Sequence, residues 1–252
     1  MLNAVFWGLI QGLTEFLPVS SSGHLVLIPA ILDREGPDLA TTAMLHLGTL
    51  AAVLVYYRND IAKMAKFDRP ARKLITLIAI GSVPAVIGAL VFEDKVEELI
   101  HEPATVAIML VVTGIILLAT GLLRIGDRTT ESLRPLDSLV IGLAQSLALI
   151  PGISRSGMTI SAGLVRGMNK VEAARFAFLL GIPVIAGAGL FEMIDFVGSG
   201  ESIDPTVWIG VVVAGVSGYL AIAVLIRLLA RVGLAPFGIY CVTAGTIATF
   251  LV

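Results

Sequence analysis

Apolar residues in this chain fall into long unbroken runs that short polar connections separate, and the runs are of membrane-spanning length. A helix needs about 20 mostly apolar residues to cross a bilayer. Six stretches meet that, at about 40–57, 74–92, 104–123, 172–196, 206–230 and 236–252. Two further apolar stretches, 1–32 and 138–166, break the pattern in their middles. Pro18 with Ser20 to Gly23 interrupts the first, and Pro151-Gly152 with Ser154 to Gly157 the second. Each half is too short to cross, and non-helical backbone at membrane depth is tolerated only where protein buries it or a wet cavity lies beside it. Both stretches are therefore expected to be re-entrant helix–loop–helix hairpins.

The polar connections orient the runs, because Lys and Arg collect on the cytoplasmic side. Arg58, Lys63, Lys66, Arg69, Arg72 and Lys73 put the first connection inside. Glu93, Asp94, Glu97, Glu98 and Glu102 put the next outside, and Arg124, Arg128 and Arg134 put the third inside. Glu192, Asp195, Glu201 and Asp204 mark another outside loop, and Arg227 with Arg231 an inside one.

The two broken stretches are related. Shifted by 134 residues, Gly8-Leu9, Gln11, Leu13, Ser20, Ser22 and Gly23 fall on Gly142-Leu143, Gln145, Leu147, Ser154, Ser156 and Gly157. Three spans lie between the copies, so the second hairpin enters from the opposite side, which is the inverted-repeat architecture with a site near the bilayer midplane. The expected fold is one all-α integral membrane domain over 1–252, with repeats 1–125 and 136–252. The first hairpin enters from outside and the second from the cytoplasm.

Composition agrees with this class. Hydrophobic residues make up 57% and charged residues 14%, against roughly 25% charged in soluble domains, and mean hydropathy is +0.96. A net charge of −2 with scattered basic residues gives no footprint for a nucleic-acid partner. The lone Cys241 excludes an internal disulfide and a cysteine metal site. The apolar N-terminus lacks the basic n-region and cleavage site of a signal peptide and is expected to remain in place.

The chemistry is concentrated at the two tips. Gln11 and Glu15, four apart, share one helix face. Ser20, Ser21, Ser22 and His24 follow, with Ser21 and His24 spaced so that an imidazole can assist a hydroxyl nucleophile. The second tip offers Ser154, Arg155, Ser156, Gly157 and Thr159, with N–H groups where a helix restarts. Arginine and helix N-termini both bind phosphate oxygens. Together the tips supply an anion cradle, a nucleophile and an acid/base, the requirements of phosphoryl transfer. Glu15 is alternatively a structural partner of Arg155. His46 is expected to be a packed or interface histidine, and Arg166, Lys170 and Arg175 to snorkel at the cytoplasmic edge. Gly210, Gly215 and Gly218 suit packing against a neighbour.

Gln11 and Glu15 match an (E/Q)xxxE motif, Pro18 to His24 match PVSSxGH, and Pro151 to Thr159 match PGxSRSGxT. In these motifs, their separation and its length, the chain resembles the undecaprenyl-diphosphate phosphatases of the bacitracin-resistance type. The resemblance implies a plasma-membrane enzyme, open to the outer face, that removes the terminal phosphate of a C55 polyprenyl diphosphate and recycles the carrier for cell-wall synthesis. It implies site residues Glu15, Ser21, His24, Ser154, Arg155 and Thr159, a supporting Mg²⁺ or Ca²⁺ with Glu15 as protein ligand, and a homodimer. Gln11 in place of a carboxylate argues against two carboxylates chelating that ion. Ser21 attacks the phosphorus with help from His24, or His24 is itself the nucleophile. The competing class is a transporter or flippase of the polyprenyl phosphate carrier, built on the same repeats, and a third reading is a structural membrane subunit.

Overall fold

Helix-breaking residues set where the elements end. The structure is a computed structural model and describes residues 1–124, 126–199 and 204–252, with the side chains of Leu39, Glu93 and residues 190–199 left aside. All regular structure among the described residues is helical apart from one bridge pair, Arg128 with Met168.

The first stretch forms α1 (Leu2–Phe16) and α2 (Ser21–Leu32), parted at Pro18. The corresponding later stretch forms α7 (Pro135–Leu147) and α8 (Arg155–Val165), parted around Pro151-Gly152. Each restarting helix has a serine N-cap: the Gly23 N–H donates to Ser20 Oγ at 3.2 Å and the Gly157 N–H to Ser154 Oγ at 3.1 Å. Such a cap satisfies a donor that the first helical turn leaves open. Ser20 holds φ at +66° to do so, a region that costs a residue with a side chain roughly 1–3 kcal/mol.

Between and after these pairs run α3 (Leu39–Tyr56), α4 (Arg58–Met64), α5 (Arg69–Ile100), α6 (Pro103–Gly121), α9 (Lys170–Ser199), α10 (Val207–Val232) and α11 (Ala235–Thr249). Four are long and apolar enough to cross a membrane, over Arg69–Phe92 of α5, Pro103–Gly121, Lys170–Gly189 of α9 and Val207–Val232. The pair Ala40–Tyr56 and Arg58–Met64, bent by 74°, makes a fifth if taken as one span. The protein is therefore a multi-pass helical membrane protein. Lipid-facing surface fits this: Val83, Val86, Ile87 and Leu90 of α5 and Val212, Val216 and Leu220 of α10 are exposed, a display water would penalise.

Two connections read as loops are helical. α5 runs on to Ile100 through the acidic segment after a kink at Phe92, while α4 takes up Arg58 and Lys63 and the start of α5 takes up Arg69, Arg72 and Lys73. Both segments contain good helix formers, and neither contains Gly or Pro to stop them until Pro70 opens α5 and Pro103 opens α6. The run at 236–252 gives α11, 15 residues long, or roughly 22 Å at 1.5 Å per residue. Of the acidic residues assigned outside before α10, Glu201 lies outside the described residues, and for Glu192 and Asp195 only the helical backbone is described.

Small residues bring the helices together. α1 packs on α10 with Gly8 against the Gly210 backbone, and α7 packs on α5 with Gly142 against Gly81. A methyl group at either contact would strike backbone, which is why such seams between membrane helices use glycine. α3 packs on α9 and on α10, and α6 on α11. Gly210, Gly215 and Gly218, expected to pack against a neighbour, pack against α1 and α3 of the same chain, toward Ala4 and Leu45, Gly48, and Phe16 and Ala52.

Charges away from the tips are also paired. Asp137, 1% exposed, accepts from Arg128 Nη2 at 2.7 Å, Arg166 Nε at 2.7 Å and the Arg134 N–H at 3.0 Å. Burial works against the charged carboxyl, but these hydrogen bonds outweigh it and hold Asp137 well below its ordinary value of 3.8. Arg175 pairs with Asp60 and with Glu172. Arg166 and Arg175 are thus held by carboxylates while remaining about a third exposed.

Candidate active site

The two tips meet. A methyl on Gly23 of α2 would touch the Cα of Gly152 at 3.3 Å, and Ser156 Oγ donates to the Leu17 carbonyl at 3.1 Å. α6 pins the second tip, since Thr113 Oγ1 donates to the Gly152 carbonyl at 3.0 Å and accepts from the Ser154 N–H at 3.2 Å. Beside the junction is a cavity of about 160 Å³. Its wall includes Glu15, Ser20, Ser21 and Ser22 from the first tip, Ser154 and Arg155 from the second, and His46 of α3.

Glu15 is the hub. Its Oε2 accepts from Ser21 Oγ at 2.6 Å and from Gln11 Nε2 at 3.0 Å, and its Oε1 accepts from Arg155 Nη2 at 2.6 Å. The Glu15 side chain is 5% exposed and that of Arg155 is 16%. A carboxylate so buried needs its partners, because charge removed from water without compensation costs several kcal/mol. The four-residue spacing on α1 delivers Gln11 beneath Glu15, and the break at Pro18 turns the chain so that Ser21 comes back over the same carboxylate.

Two helix starts also face the cavity. In α8 the Gly157 and Met158 N–H groups are taken by Ser154. Those of Arg155 and Ser156 have no intramolecular partner among the described residues, nor have those of Ser21 and Ser22 in α2. Three of these donors, those of Ser21, Ser22 and Arg155, belong to residues lining the cavity, and open helix-start N–H groups beside a guanidinium are the kind of groups that bind anions.

Of the other expected site residues, Ser20, Ser22 and Ser154 line the cavity, while Ser156, Thr159 and His24 do not. Ser20 and Ser154 serve as caps, with Ser20 Oγ 3.3 Å from Ser22 Oγ and Ser154 Oγ 3.2 Å from Ser156 Oγ. Thr159 donates to the Arg155 carbonyl at 2.8 Å and steadies the turn that carries the arginine. His24 is not bonded to Ser21. Its Nδ1 meets the Ser20 carbonyl at 2.7 Å and its Nε2 the Tyr240 hydroxyl at 2.7 Å, with the two rings stacked. The reason is helical geometry: His24 reaches back to the carbonyl four residues earlier, while the Ser21 hydroxyl turns toward α1.

Three participants escape the motifs. His46 Nε2 stands 3.9 Å from Glu15 Oε2. Tyr240 reaches His24 from α11. Gly181 of α9 leaves the space that the Arg155 guanidinium fills. The first had only its type and its place in an apolar run as a signal, and the other two had none.

For a metal ion the donor set is poor. Among the described residues Glu15 is the sole carboxylate on the cavity, and both its oxygens are engaged. Among the described residues no group of three or more His, Cys, Asp or Glu side chains stands close enough to hold one. The residues present do not build a resident metal centre.

The arrangement defines a class: a helical membrane protein with a cavity lined by hydroxyls, a carboxylate and a guanidinium where two helix breaks meet. The chain belongs to the family described as bacitracin resistance protein BacA, whose profile matches residues 4–247. It is 40% identical to an undecaprenyl-diphosphatase of Pelobacter propionicus over 97% of this chain and 94% of that one. It is 39% identical to the one from Halothermothrix orenii, covering 100% and 98%, and 42% identical to the one from Alcanivorax borkumensis, covering 98% and 97%.

Proposed function

We propose that this protein hydrolyses undecaprenyl diphosphate to the monophosphate and inorganic phosphate, returning the lipid carrier to cell-wall synthesis and thereby conferring bacitracin resistance. The observation that carries the reading is the Ser21 hydroxyl 2.6 Å from the Glu15 carboxylate, with Arg155 on the other carboxylate oxygen and both helix starts at the same cavity. A transporter needs an anion site but no hydroxyl poised on a base.

Ser21 is the nucleophile in this reading. Its oxygen attacks the terminal phosphorus as the hydroxyl proton passes to Glu15, and the bond to the bridging oxygen breaks to release the lipid monophosphate. Arg155 and the free N–H groups of Ser21, Ser22, Arg155 and Ser156 hold the charge that develops on the phosphoryl oxygens. Ser154, Gly157 and Thr159 set the second tip. Both ring nitrogens of His24 are occupied, which favours Ser21 over His24 as the nucleophile and gives His24 the task of fixing the first tip through Ser20. A divalent Mg²⁺ or Ca²⁺ would arrive on the substrate's own phosphates, and no step above depends on it.

The chain is read as six spans and two re-entrant hairpins in inverted repeats 1–125 and 136–252, with the cavity open to the outer face and a homodimer in the plasma membrane. The exchanged packing of α1 on α10 and α7 on α5 supports the repeat, since a two-fold relation between halves converts one contact into the other.

The test is phosphate release from C55 diphosphate by purified protein in detergent, with and without chelator, for wild type, Arg155→Ala and Arg155→Lys. Release by wild type and its loss in Arg155→Ala are expected. A wild type that releases none, yet moves the carrier between leaflets of a vesicle, would return the transporter reading.

A further inference from the structure

Glu15 takes one proton from Ser21 in the reading above, and a phosphoserine must then be hydrolysed by water whose proton needs another acceptor. Glu15, protonated by then, is the wrong group. The cavity wall holds one other base. His46 Nδ1 lies 2.9 Å from the Thr42 carbonyl, and a carbonyl only accepts, so Nδ1 carries the hydrogen and the lone pair of the neutral ring sits on Nε2. That nitrogen stands 3.9 Å from Glu15 Oε2, too far for a hydrogen bond, and both side chains line the cavity, that of His46 23% exposed against 5% for Glu15. The ionisable groups facing it are Glu15 from α1 and Arg155 from α8. His24, by contrast, has no nitrogen to offer and does not line the cavity.

We infer that His46 is the base of the second half-reaction, activating the water that hydrolyses a phosphorylated Ser21. The inference rests on the covalent reading of Ser21 proposed above. Water bonds to the phosphorus through its oxygen and gives one proton to His46 Nε2. The bond between phosphorus and Ser21 Oγ breaks, and Oγ takes back the proton held by Glu15. Inorganic phosphate leaves, and the imidazolium returns its proton to the water of the open cavity. One carboxylate thus stores and returns the serine proton while the imidazole handles the water proton, so the two bases do not compete.

Rapid-quench measurement of lipid monophosphate and inorganic phosphate, with mass analysis of Ser21, tests this in wild type, His46→Gln, His46→Ala and Ser21→Ala. His46→Gln keeps a polar group of similar reach and removes the base. It should form lipid monophosphate in a burst of one equivalent, accumulate phosphoserine at Ser21, and turn over about a hundredfold more slowly than wild type. Added imidazole should restore phosphate release in His46→Ala. Turnover of His46→Gln within twofold of wild type would overturn the inference, and so would slow turnover with neither phosphoserine nor rescue, which is the pattern of a residue that merely positions Glu15. Failure of the underlying reading looks different: Ser21→Ala would retain activity, or wild type would release no phosphate at all.

Discussion

Among the described residues two carboxylates, Glu15 and Asp137, are buried against arginine, and only Glu15 lines the cavity between the tips. Asp137 is 2% exposed in its side chain and meets Arg128, Arg166 and a backbone N–H. Glu15 is 5% exposed and meets Arg155, Ser21 and Gln11. Burial and an arginine partner are common to both. What differs is that Asp137 is matched by two guanidinium groups with no hydroxyl among its donors, so its charge is fixed and it ties the connection before α7 to the end of α8. Glu15 has one guanidinium and a serine hydroxyl, and a cavity lies alongside. A buried ion pair is weak evidence of function; one that shares its carboxylate with a nucleophile beside open space is much stronger.

Substitutions can separate the two. The largest effect belongs to Ser21→Ala, which should lower phosphate release about 10⁴-fold while leaving thermal unfolding in detergent within a few degrees of wild type. Arg155→Lys keeps the charge but loses the planar fork, and should cut kcat about a hundredfold with the fold intact. Asp137→Ala leaves two arginines facing a void. It should lower stability by about 1–3 kcal/mol, with kcat per folded molecule near wild type, and a hundredfold fall in kcat there would erase the distinction. Gly181→Ala puts a methyl where the guanidinium lies and should slow turnover roughly tenfold, about 1.4 kcal/mol in the barrier.

The smallest effect is a dependence on pH. The carboxyl of Asp137 is lowered from 3.8 on folding, so its stabilisation is complete above that value and is lost as pH falls toward the lower folded value. The stability gap between wild type and Asp137→Asn, read by unfolding in detergent, should hold from pH 7 to 5 and narrow below about pH 4.

Much of the site was legible because it is made of interruptions. Pro, Gly and Ser inside apolar runs mark breaks whatever surrounds them, and Glu15 and Arg155 stand out as charges within lipid-length stretches. Spacing along one helix also gave the Gln11–Glu15 pair. It failed at His24 and Ser21, because three residues bring side chains near one another without saying which atom each prefers, and a carbonyl and a tyrosine claimed the ring. His46, Tyr240 and Gly181 come from α3, α11 and α9, and their distances to the tips are set by packing that no local pattern records. The helical run through 93–100 was hidden for a different reason: its acidic residues mark a side of the membrane without marking an end of a helix.

The length of chain between Glu15 and its counter-ion has a consequence for biosynthesis. Arg155 follows 140 residues later, and at roughly 5–20 residues per second a ribosome takes about 7–28 s to make that interval. Through that time the first hairpin has neither the guanidinium that compensates its carboxylate nor α10, the helix that covers α1. Its lowest-energy states are a protonated Glu15 or a hairpin resting in the interface with the carboxylate in water. The first hairpin therefore reaches its final packing only after the second half of the chain has been made, and a nascent chain arrested before Arg155 should leave the first tip open to water-borne reagents.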